Sequence, residues 1–474
     1  MWFVGLQLFI WAATGLYMVS IDIHTIHGDH AVLPPPALDV KQVKFTPQQM
    51  LSMLHQTIAP ATIEHISLRM LSGGLSAKSL SQLPLQPQAL AVYEVILSGA
   101  TPAKQLYNAT TGELISPFSI SEIEVITLAQ LHEKYQSVPI KDLRYLTQLP
   151  SEVSSRHAPA YRITLDTWHN LTLYVDPYSA KIVTKRHDLW RIFDWAWRLH
   201  ITDYDDGENV HNWWLQLLSV LSMVSVMFGI ITLFFRFKTR RTQHTHLFKR
   251  HIVHKWLACV MLLPLSIWLL TGIILSFFHS DPTTSLRPTT QLSITPNELG
   301  FNLTEIPLDM QRPPIEINIA FKLNQWLIEV IQQKGFHTNL RSQRRLFHLN
   351  GQAFSLTTEH INQFIKTTAP TLGKISEIDT LTPNWWILTG YQNPVLSVKF
   401  SEHSEQHYFD RDGATWIGAD TPKNQILQFM RTLHFMDYLA VGGFNHIWNI
   451  LFAGLMLIMS ISGIYLLVRP RIAH

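Results

Sequence analysis

Four runs of apolar residues decide what this chain can become: Met1 to Ile21, Trp213 to Phe235, Trp256 to Phe278 and Ile447 to Val468 contain no Asp, Glu, Lys or Arg. Each holds the ~20 apolar residues that a helix needs to cross the hydrocarbon of a bilayer, so each is read as a membrane span. Together they fill just under a fifth of 474 residues, and the mean hydropathy of +0.09 with 15% charged residues is an average over two populations. What remains is polar enough for water-facing domains of ordinary size. Neither a wholly soluble protein nor a compact polytopic transporter fits. The strongly polar residues in the spans are Gln7, Gln216 and Asn449, whereas an ion or substrate path usually leaves charges.

A net charge of +3 is too small to point to nucleic acid as a partner. The single cysteine, Cys259, lies in the third apolar run, which excludes an intrachain disulfide, a zinc ribbon and a CxxCH haem attachment. Basic residues set the orientation. Arg236, Lys238, Arg240, Arg241, Lys249, Arg250 and Lys255 crowd one short connection without an acid, and Arg469 and Arg471 follow the last span. The positive-inside rule makes that side cytoplasmic, as expected of a bacterial inner-membrane protein whose larger regions face the periplasm. Met1 to Ile21 lacks a basic n-region and a small-residue cleavage site, so it is read as a retained span.

The chain also repeats itself. At an offset of 234 residues, Tyr174 to Arg236 matches without a gap: "RLHITDY" with His200, Asp203 and Tyr204 becomes "TLHFMDY" with His434, Asp437 and Tyr438, and Gly229 becomes Gly463. The first and third spans match at an offset of 257, Trp11, Thr14 and Gly15 falling on Trp268, Thr271 and Gly272. The expected fold is therefore α-helical in the membrane, four transmembrane helices with a two-fold internal duplication, and α+β in the periplasm. Its segments are a first span (1–23), a periplasmic region (24–190), an interfacial segment with the second span (191–237), a basic cytoplasmic loop (238–255), the third span (256–278), a second periplasmic region (279–424), an interfacial segment with the fourth span (425–470) and a tail (471–474). Parallel repeats of this kind are related by a pseudo-two-fold axis along the membrane normal. The residue equivalent to His254 would lie four positions upstream of Met1, so either the chain begins earlier or it lacks that residue.

In the water-facing parts, "TPQQMLSMLHQTI" reads as a helix, "ALAVYEVIL" as a strand and "YNATTGELIS" as a turn. "PAYRITLDTWHNLTLYVDPYSAKI", "PVLSVKFSEHSEQHYFDRDGATW" and "LFHLNGQAFSL" read as hairpins. Walker A, GxGxxG, GxSxG and HExxH motifs are missing, which argues against a nucleotide, flavin or serine-hydrolase site.

These residues resemble a known family. "VYEV…YNATTGELI" and "LYVDPYSAKI" are similar to PepSY domains, and "HKW…TG" with "LH…DY…NHIW…SGIYLLV" resembles the PepSY-associated transmembrane helices, over nearly the whole chain. The resemblance implies a bacterial inner-membrane protein linked to iron supply, similar to ferrisiderophore reductases that carry b-type haem between their helices. It also implies an alternative, because PepSY domains occur in peptidase propeptides: a non-enzymatic, membrane-anchored module that binds or regulates a periplasmic protein, peptide or protease.

A b-type haem gripped by two axial histidines needs neutral imidazoles from different helices. His200 and His434 meet this by identical register, and His254 is a third candidate on the cytoplasmic side; His211 and His446 are further candidates, one register position apart. Beside this stands a structural reading. Histidines at membrane edges also anchor at headgroups, Asp203 and Asp437 could serve turns, and His200 precedes Trp213 by thirteen residues, ~20 Å if helical, which sets it outside the hydrocarbon unless the chain dips back. In "IDIHTIHGDH", His24, His27, Asp29 and His30 form a candidate metal cluster for Zn, Cu or Fe, with a capped helix exit as the structural reading. The expected function is a haem-dependent transmembrane oxidoreductase passing electrons to a ferric or other periplasmic acceptor. The cytoplasmic loop is too short for a reductase domain, so the donor is quinol or a separate redox protein.

Overall fold

In lipid an uncharged stretch of about twenty residues satisfies its backbone as a helix, and the computed structural model has one at each of the four runs. The structure describes residues 2–57, 62–73, 89–98, 102–238, 247–286, 296–299, 313–332, 344–382, 393–438 and 443–468, with single positions at 294, 303, 306, 388 and 391. The first half runs α1 (Trp2–Ser20), α2 (Ile23–Ile26), α3 (Pro47–Thr57), β1 (Thr62–Leu71), β2 (Leu90–Ser98), β3 (Lys104–Asn108), α4 (Ile120–Ala129), α5 (Glu133–Gln136), β4 (Ile140–Leu146), β5 (Ala160–Leu165), β6 (Thr172–Val175), β7 (Ile182–Arg186), α6 (Asp188–Ile201) and α7 (Trp213–Lys238). The second runs α8 (Leu247–Phe277), β8 (Glu316–Lys322), β9 (Gln325–Ile331), β10 (Arg344–His348), β11 (Ala353–Phe354), α9 (Thr358–Thr368), β12 (Ile375–Leu381), β13 (Val395–Phe400), β14 (Gln406–Asp410), β15 (Thr415–Asp420), α10 (Pro422–Phe435) and α11 (Ile447–Val468). Helices α1, α7, α8 and α11 are long and apolar enough to cross a membrane. Helix α8 begins inside the basic segment expected to be a loop, because Lys and Arg are good helix formers and extend it; residues 239–246 lie outside the described residues.

The strands follow the hairpins expected from sequence, but their assembly is not local. Seven strands form one sheet in the order β11-β10-β9-β8-β1-β2-β3, and the antiparallel β1–β8 pair sets Ser67 opposite Asn318 and Arg69 opposite Glu316. Strands from residues 24–190 and 279–424 thus share one hydrogen-bonded sheet. One face is apolar and packs on α3, Met50, Leu51 and Leu54 meeting Ile66, Leu68, Ile317 and Ile319. On the other, Glu94, Ser67, Asn318 and Glu329 stand opposite one another across four strands. Glu94 is held by Arg69 at 2.9 Å and Lys181 at 2.6 Å, and Glu329 by Lys322 at 3.0 Å and Arg344 at 3.2 Å.

Two four-stranded sheets, β4-β5-β6-β7 and β12-β13-β14-β15, complete the water-facing part. The matching Asp176 and Asp410 close equivalent turns: Oδ1 of Asp176 accepts from the amides of Tyr178 and Ser179, and Oδ1 of Asp410 from those of Asp412 and Gly413. Each sheet hands the chain to a helix, α6 or α10, that ends in a left-handed residue, Thr202 (φ 53°) or Met436 (φ 50°). Helix α6 does dip back. Tyr17 donates to the Leu189 carbonyl at 2.9 Å and Trp11 Nε1 to the His200 carbonyl at 2.7 Å, so α6 lies along α1. Its free side exposes Ile192 and Trp195, which suits contact with lipid. His200 consequently sits beside span residues and not beyond them.

Candidate functional site

The helices enclose a cavity of about 880 Å³, within the range of cofactor sites, whose walls are overwhelmingly apolar. His200 on α6 and His434 on α10 both line it, with Trp11 and Gly15 of α1 and Trp268 and Gly272 of α8.

Each ring is held in the same way. His200 Nδ1 lies 3.1 Å from Thr14 Oγ1, and His434 Nδ1 lies 2.9 Å from Thr271 Oγ1. Both hydroxyls already spend their one hydrogen on their own helix, Thr14 on the Ile10 carbonyl at 2.7 Å and Thr271 on the Ile267 carbonyl at 2.6 Å. They can only accept from the imidazoles, so Nδ1 carries the proton and Nε2 keeps its lone pair. That is the tautomer a metal ligand requires, with its orienting partner in place. Beyond each threonine comes a glycine: a Cβ there would stand 3.7 Å (Gly15) or 3.5 Å (Gly272) from the Cε1 of the facing ring. Each glycine thus packs directly beside its ring, where a Cβ would just reach van der Waals contact.

The pattern occurs a third time. His254, near the start of α8, places Nδ1 2.8 Å from Ser462 Oγ, which donates to the Met459 carbonyl at 2.8 Å; a Cβ on Gly463 would approach His254 Cε1 to 3.2 Å. His254 and Thr271 are seventeen residues apart on α8, or roughly 26 Å, so this setting lies at the other end of the bundle. Gly229, the register match of Gly463, follows Phe228 in place of a serine and has no atom within 4 Å of a built Cβ.

Other candidates have different work. His211 lines the cavity and its Nδ1 donates to the Ser276 carbonyl at the end of α8 at 3.0 Å, while its ring stacks on His279 at 3.8 Å. Its register match, Asn445, does the same for α1 through the Ile21 carbonyl at 2.6 Å. His211 therefore serves as a helix cap that asparagine also fills, and the site opposite offers no imidazole. His446 Nε2 meets the Gly443 carbonyl at 3.1 Å and the Asp437 carboxylate at 3.2 Å. Asp203 accepts from the Asn209 amide at 2.9 Å and so serves its turn, whereas Asp437 meets His446 and lines the cavity with His200 and His434.

The cluster after α1 is dispersed. His24 pairs with Asp29 at 3.0 Å, Asp29 also takes Lys185 at 2.9 Å, His30 meets Thr25 at 3.3 Å, and His27 lies on the cavity wall. Burial would raise the Asp29 carboxyl, but the bonds from His24 and Lys185 hold it below its ordinary range. Gly28 supplies a left-handed turn (φ 68°) against the His187 ring, which explains the glycine in "HGDH". Among the described residues, no three His, Cys, Asp or Glu side chains converge as a metal site. In the sequence Thr14–Gly15, Thr271–Gly272 and Ser462–Gly463 recur as a hydroxyl-glycine pair, the signal that they face histidines.

No curated protein matches the chain at a significant level. Residues 3–469 match the family described as PepSY-associated TM region, and the chain, a membrane protein, belongs to that family.

Proposed function

We propose that this is a bacterial inner-membrane electron-transfer protein that binds b-type haem in the cavity between its helices, which His200 and His434 would hold through Nε2. The observation that carries the proposal is the pair of hydroxyls that have no hydrogen left to give, because they fix both rings in the ligating tautomer toward one apolar cavity. A porphyrin is flat, and the glycines beside both rings fit it. When bound, a haem with two imidazole ligands supplies one-electron transfer with no open iron position. The protein's own part is to hold the rings, to fix their protons at Nδ1 and to exclude water with the surrounding aliphatic and aromatic walls. The basic segment from Arg236 to Lys255 marks the cytoplasmic side, which leaves the sheets in the periplasm and suits a ferric acceptor there. The recurrence of sheet, helix and histidine supports a duplicated unit about a pseudo-two-fold axis.

The test is an absorbance spectrum of the full chain, expressed with haem supplied and purified in detergent, before and after dithionite. A Soret band with a reducible, low-spin α band is expected; their absence overturns the proposal. Thr271→Val keeps the side chain's shape and removes the acceptor for Nδ1. It is expected to weaken haem retention by about 10- to 100-fold, the usual cost of losing an orienting partner, as read by titrating haem into the apoprotein.

A further inference from the structure

A second cavity, of about 440 Å³, lies on the β4–β7 sheet, far in character from the first. Its walls hold four cations, Lys141, Arg144, Arg162 and Arg191, against two acids, Asp142 and Glu152, and Asp188 also pairs with Arg191 at 3.0 Å, which leaves an excess of one positive charge. Arg162 stands directly opposite Arg144 on one neighbouring strand and Tyr174 on the other. Like charges opposite one another weaken a sheet. Asp142 answers both guanidiniums at once, at 2.7 Å from Arg144 and 2.6 Å from Arg162, and Glu152 is engaged by Arg191 at 3.0 Å and the Tyr174 hydroxyl at 2.8 Å. Lys141 reaches the neutral Asn170 oxygen at 3.2 Å. Arg162 Nε is buried and has no hydrogen-bond partner among the described residues, a costly state for a charged donor.

The second half shows which of these residues the fold itself needs. The row Arg144, Arg162, Tyr174 is matched across β12, β13 and β14 by Asp379, Ser397, Tyr408, and Arg191 is matched by Gln425 at the offset of 234. The same sheet and helix form there without the three arginines. Their presence in the first half answers to something other than folding.

We infer that this face binds an oxyanion of the carboxylate or phosphate type. Guanidinium forks match the paired oxygens of such groups, and a negative charge there answers the excess on the walls. The site opens at the start of α6, which the Tyr17–Leu189 bond ties to the end of α1, so a soluble anion and an anionic lipid headgroup can both present this chemistry.

Calorimetric titration of the full chain in neutral detergent with citrate, inorganic phosphate and short-chain phosphatidylglycerol tests it. Saturable binding of at least one probe is expected, weakening as salt is added and falling at least tenfold in Arg162→Ser and in Arg144→Gln. Serine is the residue of the matched strand, and the Arg144 side chain is 66% exposed, so both variants should fold. Binding of citrate or phosphate supports the inference with a soluble ligand, and binding of the lipid alone supports it with a headgroup. No binding of any probe, or binding that both variants leave unchanged, overturns it.

Discussion

His200→Ala and His434→Ala are each expected to abolish the low-spin α band of the haem-supplied protein, while His446→Ala leaves it in place. An iron held between two helices loses its six-coordinate state when either ring is removed, and an alanine offers nothing in its place. The apolar walls cannot compensate, because among the residues lining the cavity the remaining imidazoles are His27 and His211. His27 lies in the turn after α1, and the His211 ring is stacked on His279. His446 is bound through Nε2 to Gly443 and Asp437 and does not line the cavity, so it controls for a general loss of stability. Retention of the α band in His434→Ala together with its loss in His211→Ala would move the second ligand to His211 and break the symmetric assignment. Retention in all of these variants removes the cavity from consideration as the haem site.

How much of this was legible beforehand depended on whether the controlling interaction is local. The spans could be read because lipid demands an uncharged helix of fixed length, and the hairpins because alternation and turn residues such as Asp176 and Asp410 act within a few residues. The histidine register could be read because repetition exposes it. Three things could not. The β1–β8 pairing joins strands about 250 residues apart, and an unpaired strand edge has no sequence signature. The return of α6 along α1 rests on Tyr17 and Trp11 reaching carbonyls of a distant helix, a geometry that counting thirteen residues back from Trp213 cannot supply. The tautomer needs the directions of two hydrogen bonds on one threonine. In "IDIHTIHGDH", spacing along the chain could not say that His24 and Asp29 pair across the left-handed Gly28 while His27 lies on the cavity wall.

Glu94→Ala is expected to destabilise the protein by about 3–5 kcal/mol, the cost of leaving buried charge without its counter-ion. The Glu94 side chain is 6% exposed, and two cations, Arg69 and Lys181, close on its carboxylate. Removing it leaves both facing each other across the space between β1 and the turn before β7. An exposed pair behaves differently: Lys399 and Glu377 lie 2.7 Å apart but are about half exposed, so Glu377→Gln should leave the stability nearly unchanged. In the full chain in detergent, heating followed by tryptophan fluorescence should show Glu94→Ala melting roughly 3–5 °C below the parent, with Glu377→Gln nearly unshifted. The same carboxylate predicts the acid behaviour. Burial alone would push Glu94 up, but the charges of Arg69 and Lys181 outweigh it and hold the carboxyl at about 2, against an ordinary 4.5. A folded-state pKa below the unfolded one means that the folded state sheds the proton more readily, so the stabilisation is complete above pH 4.5 and is lost as pH falls toward 2. The linked contribution is about 3 kcal/mol at neutral pH. The parent should therefore lose stability through that window while Glu94→Ala, already lacking the group, shows a shallower decline there; parallel acid profiles for the two proteins would show that the Arg69–Glu94–Lys181 cluster does not carry the linkage.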